Sequence, residues 1–98
     1  MRIRYNPLAR DEVSKAALYF ESQAEGLGER FLVEIDKVVR DIADMPTLWP
    51  ITKYGIRKRI IVSPFPYSIH YKIVRGEIVI IAIAHQSREP DYWKDRLD

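Results

Sequence analysis

The hydrophobic pattern of the chain changes from helical to strand spacing at Pro46, and this change limits the folds open to it. Between Asn6 and Pro46, apolar residues recur every three or four positions, the spacing of helices that bury one face. After Pro46, apolar and polar residues alternate, as they do in strands with two different faces. A first half dominated by helices and a second half made of strands predict an α+β fold.

The first half predicts two helices joined as a hairpin. Asn6-Pro7 is typical of a helix start, with the asparagine as N-cap and the proline in the first turn, and this helix extends to about Gln23. Gly26-Leu27-Gly28 separates it from a second amphipathic helix, which runs to Met45 and is stopped by Pro46. Because the joint is short, the two helices are expected to pack antiparallel.

The remaining segments predict four strands. They cover Arg2–Tyr5, Ile56–Val62, Tyr67–Ile73 and Glu77–His85, with a turn at Ser63-Pro64-Phe65-Pro66 and a tight hairpin link at Arg75-Gly76. The last strand is apolar on both faces, which places it inside the sheet. The predicted order is β-α-α-β-β-β, with the helix hairpin packed on one face of a four-stranded, mainly antiparallel sheet, in one domain over residues 1–98.

Charge is segregated along the chain. Between Met45 and Gly76 lie six basic residues and no acidic one, whereas the whole chain carries a formal net charge of only +2. Such a local surplus on a small protein predicts a polyanionic partner. The alternative is that these lysines and arginines only solvate edge strands.

Composition excludes several kinds of site. The chain has no cysteine, so it has no disulfide, thiol nucleophile or cysteine-based zinc site. His70 and His85 are too few for a histidine-rich metal site, and no cofactor or metal is expected. The longest apolar run, Ile78–Ala84, is too short to cross a bilayer as a helix. A cytoplasmic protein without a membrane partner is therefore predicted.

Several short motifs follow one another in a recognisable order. They are Gly26-Leu27-Gly28 with Arg30-Phe31, Pro46 with Trp49-Pro50, Arg57-Lys58-Arg59, Phe65-Pro66-Tyr67-Ser68-Ile69-His70-Tyr71, Ile83-Ala84-His85, and Arg88-Glu89-Pro90-Asp91-Tyr92-Trp93. Each is unspecific alone, but their order and spacing resemble the RelE/ParE superfamily of bacterial type II toxin–antitoxin toxins, of the plasmid-stabilisation type.

The resemblance implies a toxin that arrests growth when free and is held inactive by a cognate antitoxin protein. It leaves two targets open. RelE-like members cut messenger RNA on the ribosome, whereas ParE-like members bind DNA gyrase and perform no chemistry. A third possibility is an inactive or regulatory member that acts only through its antitoxin complex.

The nuclease reading assigns roles to particular side chains. Metal-free RNA cleavage needs an acid–base group and cations that stabilise the phosphorane. The candidate catalytic residues are His85, Arg57, Arg59, Arg88 and Tyr92, and the candidate substrate-binding residues are Lys53, Lys58 and Lys72. Each also has an ordinary structural reading; Tyr92 and Trp93, for example, are typical anchors that pack a tail onto a sheet.

The modest net charge favours the gyrase reading. RelE-type nucleases are far more basic than +2, as docking in a ribosomal RNA cleft requires. A gyrase inhibitor needs surface shape and a few binding side chains instead of a titrating constellation. We therefore expect ParE-like gyrase inhibition, with ribosome-dependent mRNA cleavage as the alternative. The antitoxin is expected to dock a helix or strand in an exposed apolar groove and to be acidic where it crosses the surface formed by residues 53–59.

Overall fold

Two helices pack on one face of a four-stranded sheet, in the chain order β-α-α-β-β-β. The computed structural model describes residues 1–61 and 64–97. The elements are β1 Arg2–Tyr5, α1 Pro7–Gln23, α2 Leu27–Asp44, β2 Arg57–Ile61, β3 Tyr67–Val74 and β4 Glu77–His85. The predicted fold class is confirmed. Val62 and Ser63, where we predicted the end of the second strand and the start of a turn, lie outside the described residues.

The strand with two apolar faces lies inside the sheet, as predicted. The strand order is β1-β4-β3-β2, so β4 has a neighbour on each side. β1 runs parallel to β4, while the β4–β3 and β3–β2 pairs are antiparallel. Burial of β4 is continuous from Ile78 to Ala84 because the helices cover one face and the C-terminal segment covers the other.

The joint between the helices depends on two local features. The Glu21 carboxylate accepts hydrogen bonds from the backbone N–H groups of Gly26 (2.9 Å) and Gly28 (3.0 Å), which satisfies donors that the start of α2 leaves free. A Cβ atom on Gly28 would lie 2.5 Å from the carbonyl oxygen of Ala17 in α1. Gly28 therefore permits a close approach of the two helix backbones that no other residue allows.

An aromatic cluster joins the helices to the sheet. Phe20 of α1 and Phe31 of α2 meet Phe65 with ring centroids 4.9 and 5.3 Å away, and Phe31 also lies 5.2 Å from Tyr67. These contacts are edge-on, the arrangement that aromatic quadrupoles favour. Around the cluster lies the main core, formed by the inward face of α2 and the helix-facing side chains of β3 and β4.

The opposite face of the sheet is covered by the C-terminal tail, residues 86–97. Trp93 is only 3% exposed and packs against Ile56, Val79, Ile81 and Ala82. The tail therefore builds a second, smaller core on the face that the helices leave open. This position agrees with the structural reading of the tail aromatics, which was that they anchor the tail to the sheet.

The β3–β4 hairpin link also behaves as its sequence predicts. Arg75 and Gly76 both have positive φ, 50° and 77°, the conformation of a two-residue turn that matches the twist of the strands.

In the described residues, no helix is both long and apolar enough to cross a membrane.

Candidate functional site

A groove of about 430 Å³ lies on the sheet face opposite the helices, between the tail and strands β2 and β3. Its floor comes from side chains that alternate away from the helices, namely Lys58 and Ile60 of β2 and Ser68 and His70 of β3. The tail supplies the other wall. Because strand side chains alternate between faces, this floor follows directly from the register of β2 with β3.

The groove brings together five of the eight predicted site residues. They are Lys53, Lys58, His85, Arg88 and Tyr92. Lys53 is paired with Asp91 at 3.3 Å, whereas Lys58 and Arg88 have no ion-pair partner among residues 1–61 and 64–97. The groove therefore offers two unpaired cations.

Arg57 and Arg59 lie on the other face of β2, toward the helices. Arg57 donates from Nη1 to the carbonyl oxygens of Trp49 (2.6 Å) and Thr47 (3.2 Å), in the segment that follows α2. The Arg59 guanidinium stacks on the Trp49 ring, 4.8 Å from its centroid, and lies 4.0 Å from Asp41. Both arginines thus hold the α2–β2 connection in place.

Arg57 is also far from His85. Arg57 pairs with Tyr71 and His85 pairs with Tyr67, so the two positions are separated by about 13 Å along β3. They lie on strands that flank β3 on opposite sides. Arg57 therefore lies away from the predicted acid–base group, whereas Arg59, which pairs with Ile69, lies about 7 Å along β3 from the position of His85.

Lys72 is likewise engaged elsewhere. It lies on the same sheet face as His70, but its Nζ donates to the carbonyl oxygen of Leu97 at 3.4 Å. Lys72 is half-buried beneath the tail and does not line the groove.

His85 has a defined tautomer. The backbone N–H of Ser87 donates to its Nδ1 at 3.0 Å, and the Ser87 hydroxyl lies 2.7 Å from the same atom. An Nδ1 that accepts a hydrogen bond from an N–H group carries no proton, so the proton of the neutral ring resides on Nε2. In this arrangement Nε2 is a hydrogen-bond donor, and the basic nitrogen is turned toward the backbone.

His70 is the buried histidine of the groove floor. It is 8% exposed, its Nε2 lies 2.9 Å from the Ser68 hydroxyl, and its ring packs against Trp93 with centroids 5.2 Å apart. Burial, with help from nearby Lys58, lowers the pKa of His70 to about 4. The side chain is therefore neutral at physiological pH and serves as a platform for the tail.

A polar clasp that the sequence did not reveal fastens the tail to the body. The Glu12 carboxylate on α1 accepts two hydrogen bonds from Arg96 (2.9 and 3.0 Å), one from the Tyr92 hydroxyl and one from the Ile83 N–H (3.0 Å). Arg96 also donates to the Ile81 carbonyl at 3.1 Å. These five residues are called the Glu12 clasp below.

The clasp completes the sheet where β1 ends. The last β1 pair joins Tyr5 to Ile80, and beyond it β4 would expose the Ile81 carbonyl and the Ile83 N–H on that side. Arg96 and Glu12 bind these two groups, so side chains replace a missing strand partner. Burial and the hydrogen bond to Glu12 raise the pKa of Tyr92, which keeps its hydroxyl protonated.

The aromatic faces of the tail are already occupied. The Arg88 guanidinium lies 3.8 Å from the centroid of the Tyr92 ring, and Arg96 also lies over that ring at 5.1 Å. Trp93 contacts His70 and, edge-on, Tyr54. Neither ring presents an open face for a nucleobase.

The fold and sequence together define a class of small bacterial toxins. The family model for the ParE toxin of the type II toxin–antitoxin system, parDE, matches residues 3–90. The chain belongs to this family, which confirms the resemblance to the RelE/ParE superfamily.

A solved structure agrees with the assignment at the level of fold. It is described as the chromosomal ParDE TA system from P. aeruginosa. The structural match covers 87% of the present chain and 95% of the P. aeruginosa chain, with a TM-score of 0.63. Sequence identity is 14%, so the likeness concerns the backbone arrangement. Among curated proteins, none matches the chain.

Proposed function

We propose that this protein is the toxin of a type II toxin–antitoxin module and that it arrests growth by binding DNA gyrase, without cutting RNA. The antitoxin holds it inactive by direct binding. The proposed place of action is the cytoplasm, where gyrase works. Membership of the ParE family supports the toxin role, and the resemblance stated above supplies gyrase as the target.

The engagement of Arg57 and Arg59 with the segment after α2 is the observation that carries this proposal. Cleavage of RNA without a metal requires the acid–base group and the phosphate-binding cations to converge on one phosphate. Here both arginines support the α2–β2 connection on the helix side of the sheet. The proton on Nε2 of His85 also makes this ring a donor, whereas attack by a 2′-hydroxyl calls for a base.

Ribosome-dependent mRNA cleavage is the second candidate. One observation favours it, because Lys58, His85 and Arg88 line the same groove and could meet one phosphate there. In that case His85 would act as an acid from Nε2, and another group would have to take the 2′-hydroxyl proton.

The two candidates are separated by which process stops first in cells. The toxin is induced without its antitoxin, and incorporation of labelled thymidine and labelled methionine is followed over the first minutes. We expect DNA synthesis to stop first and His85→Ala to remain as toxic as the parent. His85 suits this test because its side-chain hydrogen bonds within residues 1–61 and 64–97 are to Ser87 alone. Its removal also loses one edge-on ring contact with Tyr67, at 5.2 Å between centroids, so thermal unfolding of the variant is measured beside its toxicity.

An early halt in protein synthesis, with cuts in messenger RNA at the ribosomal A site, would contradict the proposal. Loss of toxicity in His85→Ala would do so as well, since removal of an acid–base group slows cleavage by about 10²-fold or more.

A further inference from the structure

We propose that the groove on the open sheet face binds an acidic, extended segment of the antitoxin, with Lys58 and Arg88 as the carboxylate contacts and Ile60, beside Lys58 on β2, as the apolar contact. The inference rests on the proposed function, since an antitoxin partner is part of it. The sequence predicted a contact surface over residues 53–59. The proposal keeps the groove-facing side chains Lys58 and Ile60 of β2 and adds Arg88 of the tail.

Charge is the first argument. The basic segment contains six cations, but the structure uses most of them internally. Arg57 and Arg59 bind the connection after α2, Lys72 binds the Leu97 carbonyl, and Lys53 pairs with Asp91. Lys58 remains unpaired within the described residues, and Arg88 of the tail makes only its stacking contact with Tyr92. Two unpaired cations facing one groove match a segment with a small number of carboxylates.

The apolar surface next to Lys58 is the second argument. Ile60 is 49% exposed on the groove side of β2, next to Lys58 in the alternation of that strand. An extended segment with an acidic and an apolar residue two positions apart presents both side chains on one face at the same spacing. β2 is also an edge strand, and in the described residues its outer side is paired only at Arg57, through a bridge to Ile51. An extended segment can therefore lie along it.

Nucleic acid fits the groove less well. Proteins that hold a nucleic acid strand combine several phosphate-binding cations with open aromatic faces on which bases stack. In this groove Tyr92 is covered by Arg88, and Trp93 is buried to 3% exposure against the sheet.

The Glu12 clasp holds the tail wall of the groove in place without a bound partner. Arg96 and Tyr92 fix the tail at both sides of Trp93, so the wall that carries Arg88 is held in place by bonds to α1. A preformed wall lowers the ordering cost of binding.

The test uses the purified full chain and a synthetic blocked octapeptide, Glu-Ser-Leu-Ser-Glu-Ser-Leu-Ser, which places Glu and Leu on one face when extended. Binding is followed by fluorescence anisotropy. Matched probes are the same peptide with Gln in place of Glu and an eight-nucleotide uridine RNA. The protein variants are Lys58→Ala, Arg88→Ala and the control Lys37→Ala, which removes an equal charge from the exposed face of α2.

We expect the acidic peptide to bind and its Kd to rise about five-fold or more in Lys58→Ala and in Arg88→Ala, the scale of one charge contact. Lys37→Ala should leave the Kd unchanged, and the Gln peptide should bind less tightly. This result is independent of the cellular target, so a failure of the gyrase proposal would leave it standing.

Three outcomes would overturn the inference. The first is an absence of peptide binding, or an equal loss in Lys37→Ala, which would indicate only nonspecific charge attraction. The second is tighter binding of the uridine RNA with the same dependence on Lys58. The third is a concentration-dependent dimer that dissociates in Lys58→Ala, which would assign the groove to a second copy of the chain.

Discussion

Removal of the Glu12 carboxylate is the perturbation from which the structure predicts the largest effect. Glu12→Ala leaves the Arg96 side chain, 12% exposed, without a counter-ion and leaves the Ile83 N–H without an acceptor. Loss of one partner from a buried ion pair costs about 3–5 kcal/mol, because the remaining charge stays away from water. Small proteins have a total stability of about 5–15 kcal/mol, so the variant should be close to unfolding at moderate temperature.

The assay is urea unfolding followed by tryptophan fluorescence, since Trp93 lies between the clasp residues Tyr92 and Arg96 in the chain. Glu12→Ala is compared with Arg96→Ala and with the double variant. We expect a coupling energy of about 2 kcal/mol, within the range measured for directly bonded groups. Asp11→Ala is the control, because its pair with Lys15 is exposed (2.9 Å; 52% and 77% side-chain exposure) and contributes about 0.5 kcal/mol or less. A loss below about 1 kcal/mol in Glu12→Ala, or additive single effects, would refute this account of the clasp.

Three further outcomes follow from particular contacts. Gly28→Ala should destabilise the protein by about 1–3 kcal/mol in thermal unfolding, because its Cβ would press on the Ala17 carbonyl; an unchanged or higher Tm, as helix propensity alone predicts, would exclude that clash. Burial and Lys58 lower the pKa of His70 to about 4, although the nearby carboxylates of Glu12 and Asp91 act in the opposite direction. Between pH 4 and 6.5 the unfolded chain therefore binds more protons than the folded chain. The free energy of unfolding should fall by up to about 3 kcal/mol as the pH drops through that window. In urea titrations at pH 7.5, 5.5 and 4.5, His70→Gln should show a shallower loss, and an identical slope would contradict the assignment. Arg57→Ala should lower the free energy of urea unfolding by about 1–3 kcal/mol, because the Trp49 and Thr47 carbonyls lose their hydrogen-bond donor. Wild-type stability in this variant would show that these hydrogen bonds do not stabilise the fold.

Local patterns in the sequence were sufficient to predict the architecture. The caps at Asn6 and the break at Gly26–Gly28 define the helices, and the two-faced apolar strand Glu77–His85 lies inside the sheet as its composition indicated. These features depend on residues that are close in the sequence, and such local interactions can be predicted from a single sequence.

The site was less accessible to sequence reasoning. Arg57 and Arg59 alternate with Lys58 and share one face of β2, but nothing in the sequence indicated that this face turns toward the helices, where Arg57 binds the carbonyls after α2. The Glu12 clasp was missed because the groups that bind Glu12 lie 71 to 84 positions from it in the chain. The available sequence signal was a charged residue, Glu12, among the apolar positions of α1. The structure places both Glu12 and Arg96, which follows Trp93, in half-buried positions.

The division of the cations between two faces changes how the basic segment is understood. A surplus of six positive charges predicted a continuous surface for a polyanion. In the folded chain those charges serve the α2–β2 connection, the tail and the groove separately. Arg75 is exposed in the β3–β4 turn. The groove retains Lys58, together with Arg88 of the tail, for a partner, so a small number of carboxylates fits it better than a nucleic acid strand.

Inhibition of purified DNA gyrase by the purified chain tests the central claim most directly. The account predicts that the chain blocks supercoiling of relaxed plasmid, that His85→Ala blocks it equally well, and that neither protein cuts messenger RNA in a reconstituted translation reaction. Uninhibited supercoiling, together with mRNA cleavage on the ribosome that disappears in His85→Ala, would contradict it.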